Sequence, residues 1–385
     1  MTPPLIEPAR IGLVVNPVAG LGGRVGLKGS DGADVQRQAR ALGARAAAPA
    51  RAELTIRQLR ALAGDVDILT AAGPMGADSA GPTARVVHRP AGEPTGEPTT
   101  AADTRAAVRA VVAAGARLLL FCGGDGTARD VLAALGPEPA VPVLGIPAGV
   151  KMHSAVFAVH PRAAAEVAAA WARGTGVRLT AAEVVDRDEA ALRAGRVGAR
   201  LYGRLTVPVL PARVQQRKTG SSGPAPAALD GIAAELAERI GPGGLFVLGP
   251  GTTTHGVAAA LGAPDTALTG VDVLRLRRDG TARVELRDAR ADQLLALPTT
   301  PWIALSPIGG QGFLLGRGNQ QLSPELLRAA GPERLLVLAT EAKLAALAGR
   351  PLLLDTGDPA LDDALSGHVR VITGRRATAV YRVTC

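Results

Sequence analysis

The sequence predicts a two-domain α/β chain: an N-terminal domain on a parallel sheet, then a β-rich α+β C-terminal domain. Three observations carry this. Short apolar runs at Ile11–Val15, Arg117–Cys122 and Val141–Ile146 each enter a glycine-bearing turn, as strands do along the carboxyl edge of a parallel sheet. Helical stretches rich in alanine alternate with them. From about residue 177 the pattern changes to period-2 alternation, at Val177–Val185 and Val197–Val209, as in strands of a less regular unit.

Taken in order, Ile11–Val15 leads into Asn16-Pro17-Val18-Ala19-Gly20-Leu21-Gly22-Gly23. Thr55–Ala63 reads as a helix and Val66–Leu69 as a strand. Ala71–Thr100 is rich in Gly, Pro, Thr and Ala around a short strand at Arg85–His88, which fits a flap or an irregular connection. Ala101–Ala114 is an alanine-rich helix with Asp103 in its first turn. Arg117–Cys122 then enters Gly123-Gly124-Asp125-Gly126, with Thr127–Leu135 as the following helix. Val141–Ile146 enters Pro147-Ala148-Gly149-Val150-Lys151-Met152-His153-Ser154, and Pro161–Trp171 opens the next helix. These elements place the first domain at 9–158 and the second at 159–385, with the last segment able to pack back on the first. Within the second, 215–226 is a polar, glycine-containing loop and Ala227–Ile240 is helical. Leu245–Leu248 is a strand entering Gly249-Pro250-Gly251-Thr252-Thr253-Thr254-His255-Gly256.

Composition narrows the function classes. The 385 residues are 47% hydrophobic but only 2% aromatic, so the core is built from Ala, Val, Leu and Ile. The formal charge of +9 comes from scattered arginines, not from a basic stripe interleaved with aromatics, which argues against nucleic-acid binding. No apolar run reaches a membrane span, and the N-terminus lacks the regions of a signal peptide, so the chain reads as cytoplasmic. Two cysteines, Cys122 and Cys385, make neither a disulfide framework nor a metal cluster. Of 43 basic residues, four are lysines, and two of these, Lys28 and Lys151, follow glycine turns. A lysine there suits phosphate oxygens, and a solvated surface ammonium is the plainer alternative.

Gly123-Gly124-Asp125-Gly126-Thr127 carries the chemistry. Glycines let a backbone approach a ligand closely, and a helix N-terminus offers N–H groups to an anion. A carboxylate on that turn can organise Mg²⁺ or accept a hydroxyl proton, a combination suited to phosphoryl transfer. The same residues also describe an ordinary strand–turn–helix joint capped by Asp125.

Asn16-Pro17 with Gly20, the Gly123–Thr127 segment and Gly145-Ile146-Pro147-Ala148-Gly149 resemble the superfamily of NAD kinases and diacylglycerol and sphingosine kinases. More narrowly, Gly149–Ser154 and Ser306-Pro307-Ile308-Gly309-Gly310-Gln311-Gly312-Phe313 resemble the archaeal and bacterial ATP-NAD kinase family, including its acetoin-operon members. The resemblance spans roughly residues 11–383 and implies a Rossmann-like first domain. It implies that ATP, with Mg²⁺, phosphorylates the 2′-hydroxyl of NAD to give NADP, with Asp125 as the catalytic residue. It places the ligand against Asn16, Gly123, Gly124, Gly126, Thr127, Gly149, Lys151, Met152 and His153. It also implies a homo-oligomer.

In the second domain, Thr252, Thr253 and Thr254 bring hydroxyls and backbone donors to a helix start, fit for phosphate or ribose. Gly309, Gly310, Gln311 and Asn319 belong to a glycine-rich loop able to wrap a nucleotide. The paired Asn-Asp or Asn-Glu motif of ordinary NAD kinases is absent. Two further readings are a kinase of the same fold acting on another soluble hydroxyl, and a nucleotide sensor without turnover. A lipid acceptor is disfavoured, since no amphipathic basic helix is present.

Overall fold

The computed structural model describes residues 9–27, 33–90, 99–136, 141–150, 152–187, 199–210, 213–214 and 226–385. It divides into two compact units. The first comprises Met1–Leu21, Ser30–Gln36 and Arg45–Arg217; the second comprises Gly22–Gly29, Arg37–Ala44 and Lys218–Cys385.

The first unit holds five parallel strands, β1 (Arg10–Val15), β2 (Asp67–Ala71), β3 (Arg85–His88), β4 (Leu118–Gly123) and β5 (Val143–Pro147), in the order β3-β2-β1-β4-β5. Every residue of β4 and β5 is buried, which is why these strands read as continuous apolar runs instead of alternating ones. The helices of this part of the chain are α1 (Ala33–Ala41), α2 (Ala48–Ala63), α3 (Ala77–Ala80), α4 (Ala101–Ala113), α5 (Asp125–Leu135) and α6 (Pro161–Ala172). A Cβ on Gly12 of β1 would lie 2.4 Å from Val111 of α4, so a glycine there lets the helix sit directly on the sheet. Thr100 caps α4, accepting from the Asp103 N–H while the Asp103 carboxylate accepts from the Thr100 N–H, a reciprocal capping box. Phe121 and Phe157, both fully buried, meet edge to face with centroids 5.3 Å apart.

Strand order reverses between β1 and β4, so the carboxyl ends of these two strands flank the switch point where open α/β sheets take ligands. Register brings the ends level, pairing Val15 with Cys122 and Gly123 with Pro147.

The domain boundary differs from the one expected at 158. The antiparallel hairpin β6 (Arg178–Arg187) and β7 (Ala199–Val209) belongs to the first unit. Ser154 fastens it there: its hydroxyl donates to the Val185 carbonyl at 2.8 Å and accepts from the Val185 N–H at 3.0 Å. Gly203 lies against Leu132 of α5, where a Cβ would come within 2.9 Å. A change of periodicity in the sequence is therefore not a change of unit.

The second unit carries a mixed eight-stranded sheet of β8 (Leu245–Leu248), β9 (Asp272–Leu276), β10 (Ala282–Leu286), β11 (Trp302–Leu305), β12 (Leu335–Leu338), β13 (Leu352–Leu353), β14 (Gly367–Gly374) and β15 (Ala377–Thr384). The order is β10-β9-β8-β11-β12-β14-β15-β13, and β8, β11, β12 and β14 run parallel. Period-2 alternation divides the core into two faces. Phe246 and Leu248 pack under α7 (Pro226–Ile240) and α8 (Thr252–Ala260). Leu245 and Val247 pack with residues of α9 (Ala291–Leu295), α10 (Pro324–Ala330), α11 (Glu341–Ala345) and α12 (Pro359–Leu365). The last segment supplies β14 and β15 to this sheet. Among the described residues no helix is long and apolar enough to cross a membrane.

Candidate functional site

Three strand ends of the first unit meet at the switch point. Asn16, just past β1, donates its backbone N–H to the Cys122 carbonyl at 2.9 Å and its side-chain amide to Thr127 Oγ1 at 3.0 Å. The Gly123 carbonyl at the end of β4 accepts from the N–H groups of Ala148 and Gly149, at 2.8 and 3.2 Å. The turns after β1, β4 and β5 are thus tied to one another by backbone bonds.

The glycines are required by close approach. A Cβ on Gly124 would lie 3.2 Å from the Gly149 Cα, and one on Gly149 would lie 3.0 Å from the Gly124 Cα. A Cβ on Gly123 would fall 2.2 Å from Thr127 Oγ1. Two turns cross here backbone to backbone, with no room for side chains between them.

Asp125, only 5% exposed, is the first residue of α5. Its Oδ2 accepts from the His153 N–H at 2.7 Å and its Oδ1 from the Ser154 N–H at 3.0 Å. His153 Nδ1 stands 3.2 Å from Oδ2. A carboxylate has about four lone-pair positions, so acceptor capacity stays available beyond the two backbone bonds and the His153 ring nitrogen. Beside it, Cys122 is fully buried, donating to the Ala48 carbonyl at 3.2 Å, and burial pushes its thiol up to about 12. Such a thiol is inert.

Asn16, Gly123, Gly124, Asp125, Gly126, Thr127, Gly149, Met152 and His153 therefore gather at one edge of the first sheet. Ser154, absent from the expected site, is the residue that couples Asp125 to the hairpin. Its backbone N–H and its hydroxyl are both used, which no spacing in the sequence signals. Lys28, Lys151 and most of the 215–226 loop lie outside the described residues.

In the second unit, Thr252, Thr253 and Thr254 open α8. Thr254 is buried and donates to its own turn, at the Gly251 carbonyl, 2.9 Å away. Thr253 Oγ1 accepts from Lys343 Nζ at 3.0 Å. His255 points elsewhere, its Nδ1 2.9 Å from Thr266 Oγ1.

Gly309, Gly310, Gln311 and Asn319 lie in a loop closed by its own bonds. The Ile308 N–H donates to the Phe313 carbonyl and the Gly312 N–H to the Ile308 carbonyl, both at 2.8 Å. Asn319 accepts from the Gly316 N–H at 2.8 Å and donates to the Leu314 carbonyl at 2.9 Å. Both ends of its amide thus take part in holding the turn. Arg317 and Asp355, each 3% exposed, form an ion pair beneath the loop.

A doubly wound sheet with a glycine-lined carboxylate at its switch point defines a nucleotide-handling α/β protein. Residues 11–175 match the ATP-NAD kinase N-terminal domain and residues 246–383 match the ATP-NAD kinase C-terminal domain. The chain belongs to the ATP-NAD kinase family. No curated protein sequence matches it. Among solved structures, a putative diacylglycerol kinase from Bacillus anthracis str. Sterne is 17% identical over 46% of this chain and 45% of its own, with a TM-score of 0.24. The chain thus spans about half the length of that structure.

Proposed function

We propose that the protein is an ATP-dependent kinase that phosphorylates the 2′-hydroxyl of the adenosine ribose of NAD, giving NADP. Family membership supports the reaction class. The observation that carries the reading is the Asp125 carboxylate, fixed by two backbone N–H groups at the switch point and retaining acceptor capacity.

In this reading the acceptor hydroxyl donates to Asp125, which takes its proton as the oxygen attacks the γ-phosphorus of ATP and the bond from that phosphorus to the β,γ-bridging oxygen breaks, releasing ADP. The carboxylate needs no reorganisation, because His153 and Ser154 hold it before substrate arrives. The N–H groups at the start of α5 face the phosphoryl charge, and the crossing of Gly124 and Gly149 lets backbone approach it closely. Thr127, held by Asn16, keeps the first turn of α5 in place.

Mg²⁺ would neutralise charge on the phosphates. Among the described residues no group of three or more His, Cys, Asp or Glu side chains is placed to hold a metal ion. In this reading the ion would ride on the nucleotide phosphates, with the Asp125 carboxylate beside them.

The test is an acceptor screen with the whole protein, Mg²⁺ and ATP, scoring NADP⁺ formation from NAD⁺ beside other soluble hydroxyl compounds. NADP⁺ formed by the native chain and lost in Asp125→Asn supports the proposal. Transfer only to another hydroxyl overturns the substrate, and absence of transfer to any acceptor overturns the enzyme reading in favour of a nucleotide sensor.

A further inference from the structure

The second sheet has a carboxyl edge of its own. Register aligns Leu248 of β8 with Ala304 of β11, and Leu305 of β11 with Val337 of β12. Each of these neighbouring strands sends one polar side chain to a common point. Thr253 comes from the helix after β8, Ser306 directly follows β11, and Lys343 comes from the helix after β12. Lys343 Nζ donates to Thr253 Oγ1 at 3.0 Å and to Ser306 Oγ at 2.9 Å. Three residues separated by 90 and 37 positions thus meet around one ammonium.

The two hydroxyls are nearly sealed, Thr253 being 2% and Ser306 7% exposed. Each accepts from the ammonium, so its own proton must be donated elsewhere. Among the described residues neither hydroxyl proton has a protein acceptor. Buried donors that lack an acceptor are costly and call for a partner. The first-turn N–H groups of the nine-residue helix α8 have no intrahelical acceptor either. Two hydroxyl protons and a helix N-terminus are all donors, so their common complement beside the ammonium is an oxyanion.

We propose that Thr253, Ser306 and Lys343 form a phosphate subsite of the second domain, which takes a phosphate group of a nucleotide substrate. This deepens the nucleotide-kinase reading and rests on it for the source of the phosphate, while the anion chemistry stands on the cluster alone. Lys343 supplies the charge and the hydroxyls fix two of the oxygens.

The test is chemical footprinting of the whole protein by lysine acetylation, read peptide by peptide, which is practicable because the chain has four lysines. Pyrophosphate should slow acetylation of Lys343 at least tenfold relative to chloride at equal ionic strength. Lys343→Met should weaken pyrophosphate binding at least tenfold, Lys343→Arg should restore part of it, and Ser306→Ala, which keeps the ammonium, should weaken it severalfold. Equal acetylation with and without pyrophosphate, or unchanged affinity in folded Lys343→Met and Ser306→Ala, overturns the proposal. Protection by ADP but not NAD⁺ assigns the subsite to the donor, and the reverse assigns it to the acceptor. Asp125→Asn should leave the protection intact. Protection without phosphoryl transfer to any acceptor sinks the kinase reading alone, whereas NADP⁺ formation without protection sinks the subsite alone.

Discussion

Asp125 uses one oxygen on the His153 N–H and the other on the Ser154 N–H, so an amide cannot replace it cleanly. In Asp125→Asn one of those N–H donors faces an NH₂ group. The variant is expected to lose phosphoryl transfer and also about 1–3 kcal/mol of stability, the usual effect of a stranded buried donor. Turnover and urea unfolding of the same preparation check both. Cys122 behaves oppositely, as a group kept neutral by burial. Above the ordinary thiol pKa of about 8.5 the unfolded chain releases a proton that the folded chain retains. Stability should therefore fall as pH rises above about 9, and Cys122→Ala should flatten that alkaline slope in unfolding measured across pH.

Elements are joined at few points, and those points carry measurable weight. The turns after β4 and β5 cross at Gly124 and Gly149, so the larger side chain of Gly124→Val must push the two backbones apart. That variant is expected to lose nucleotide affinity at least tenfold while keeping its secondary structure, as calorimetric titration and circular dichroism would show. In the second unit Glu235 of α7 reaches the turn between β14 and β15. Its carboxylate accepts from the Arg376 N–H at 2.8 Å and from Arg239 Nε at 2.9 Å. The Arg376 N–H first, then Arg239, hold it below the ordinary glutamate range. A lowered carboxylate pKa contributes stability above its unfolded value of about 4.3, and that contribution is lost as pH falls through the folded value. Glu235→Gln should therefore lower stability at pH 7 by about 1.5 kcal/mol and weaken its dependence on pH below 5, checked by thermal unfolding across pH.

At the scale of the whole molecule, charge is the property that reaches a distant ligand. A formal +9 carried by arginines spread through the sequence attracts anionic nucleotides over about a Debye length, ~10 Å at 0.1 M salt. Raising ionic strength from about 0.05 to 0.5 M should slow ATP association severalfold and leave dissociation nearly unchanged, as stopped-flow binding would register. The result would separate long-range attraction from the short contacts at Asp125 and Lys343.

Much of this protein was legible in its sequence because the relevant signals are local. Burial on both faces of β4 and β5 demanded unbroken apolar runs, strand ends at a sheet edge demanded glycine, and the Gly123–Thr127 segment carried its own chemistry. Arg85–His88 and Leu245–Leu248 were readable to the residue, since each is bounded by turn residues. What tertiary structure alone decided depends on residues far apart in the chain. The attachment of the β6–β7 hairpin to the first unit hangs on Ser154 and Val185, and the last strands join the second sheet through register, not composition. Asn319 bonds to the Gly316 N–H and the Leu314 carbonyl of its own loop, contacts that residue type alone does not signal. The rarity of lysine pointed to Lys28 and Lys151 because they follow glycine turns, and passed over Lys343, whose partners lie 90 and 37 residues away. Local patterning fixes strands, turns and a lone carboxylate, whereas a cluster drawn from three strand ends exists only once hydrogen-bonded register has brought them level.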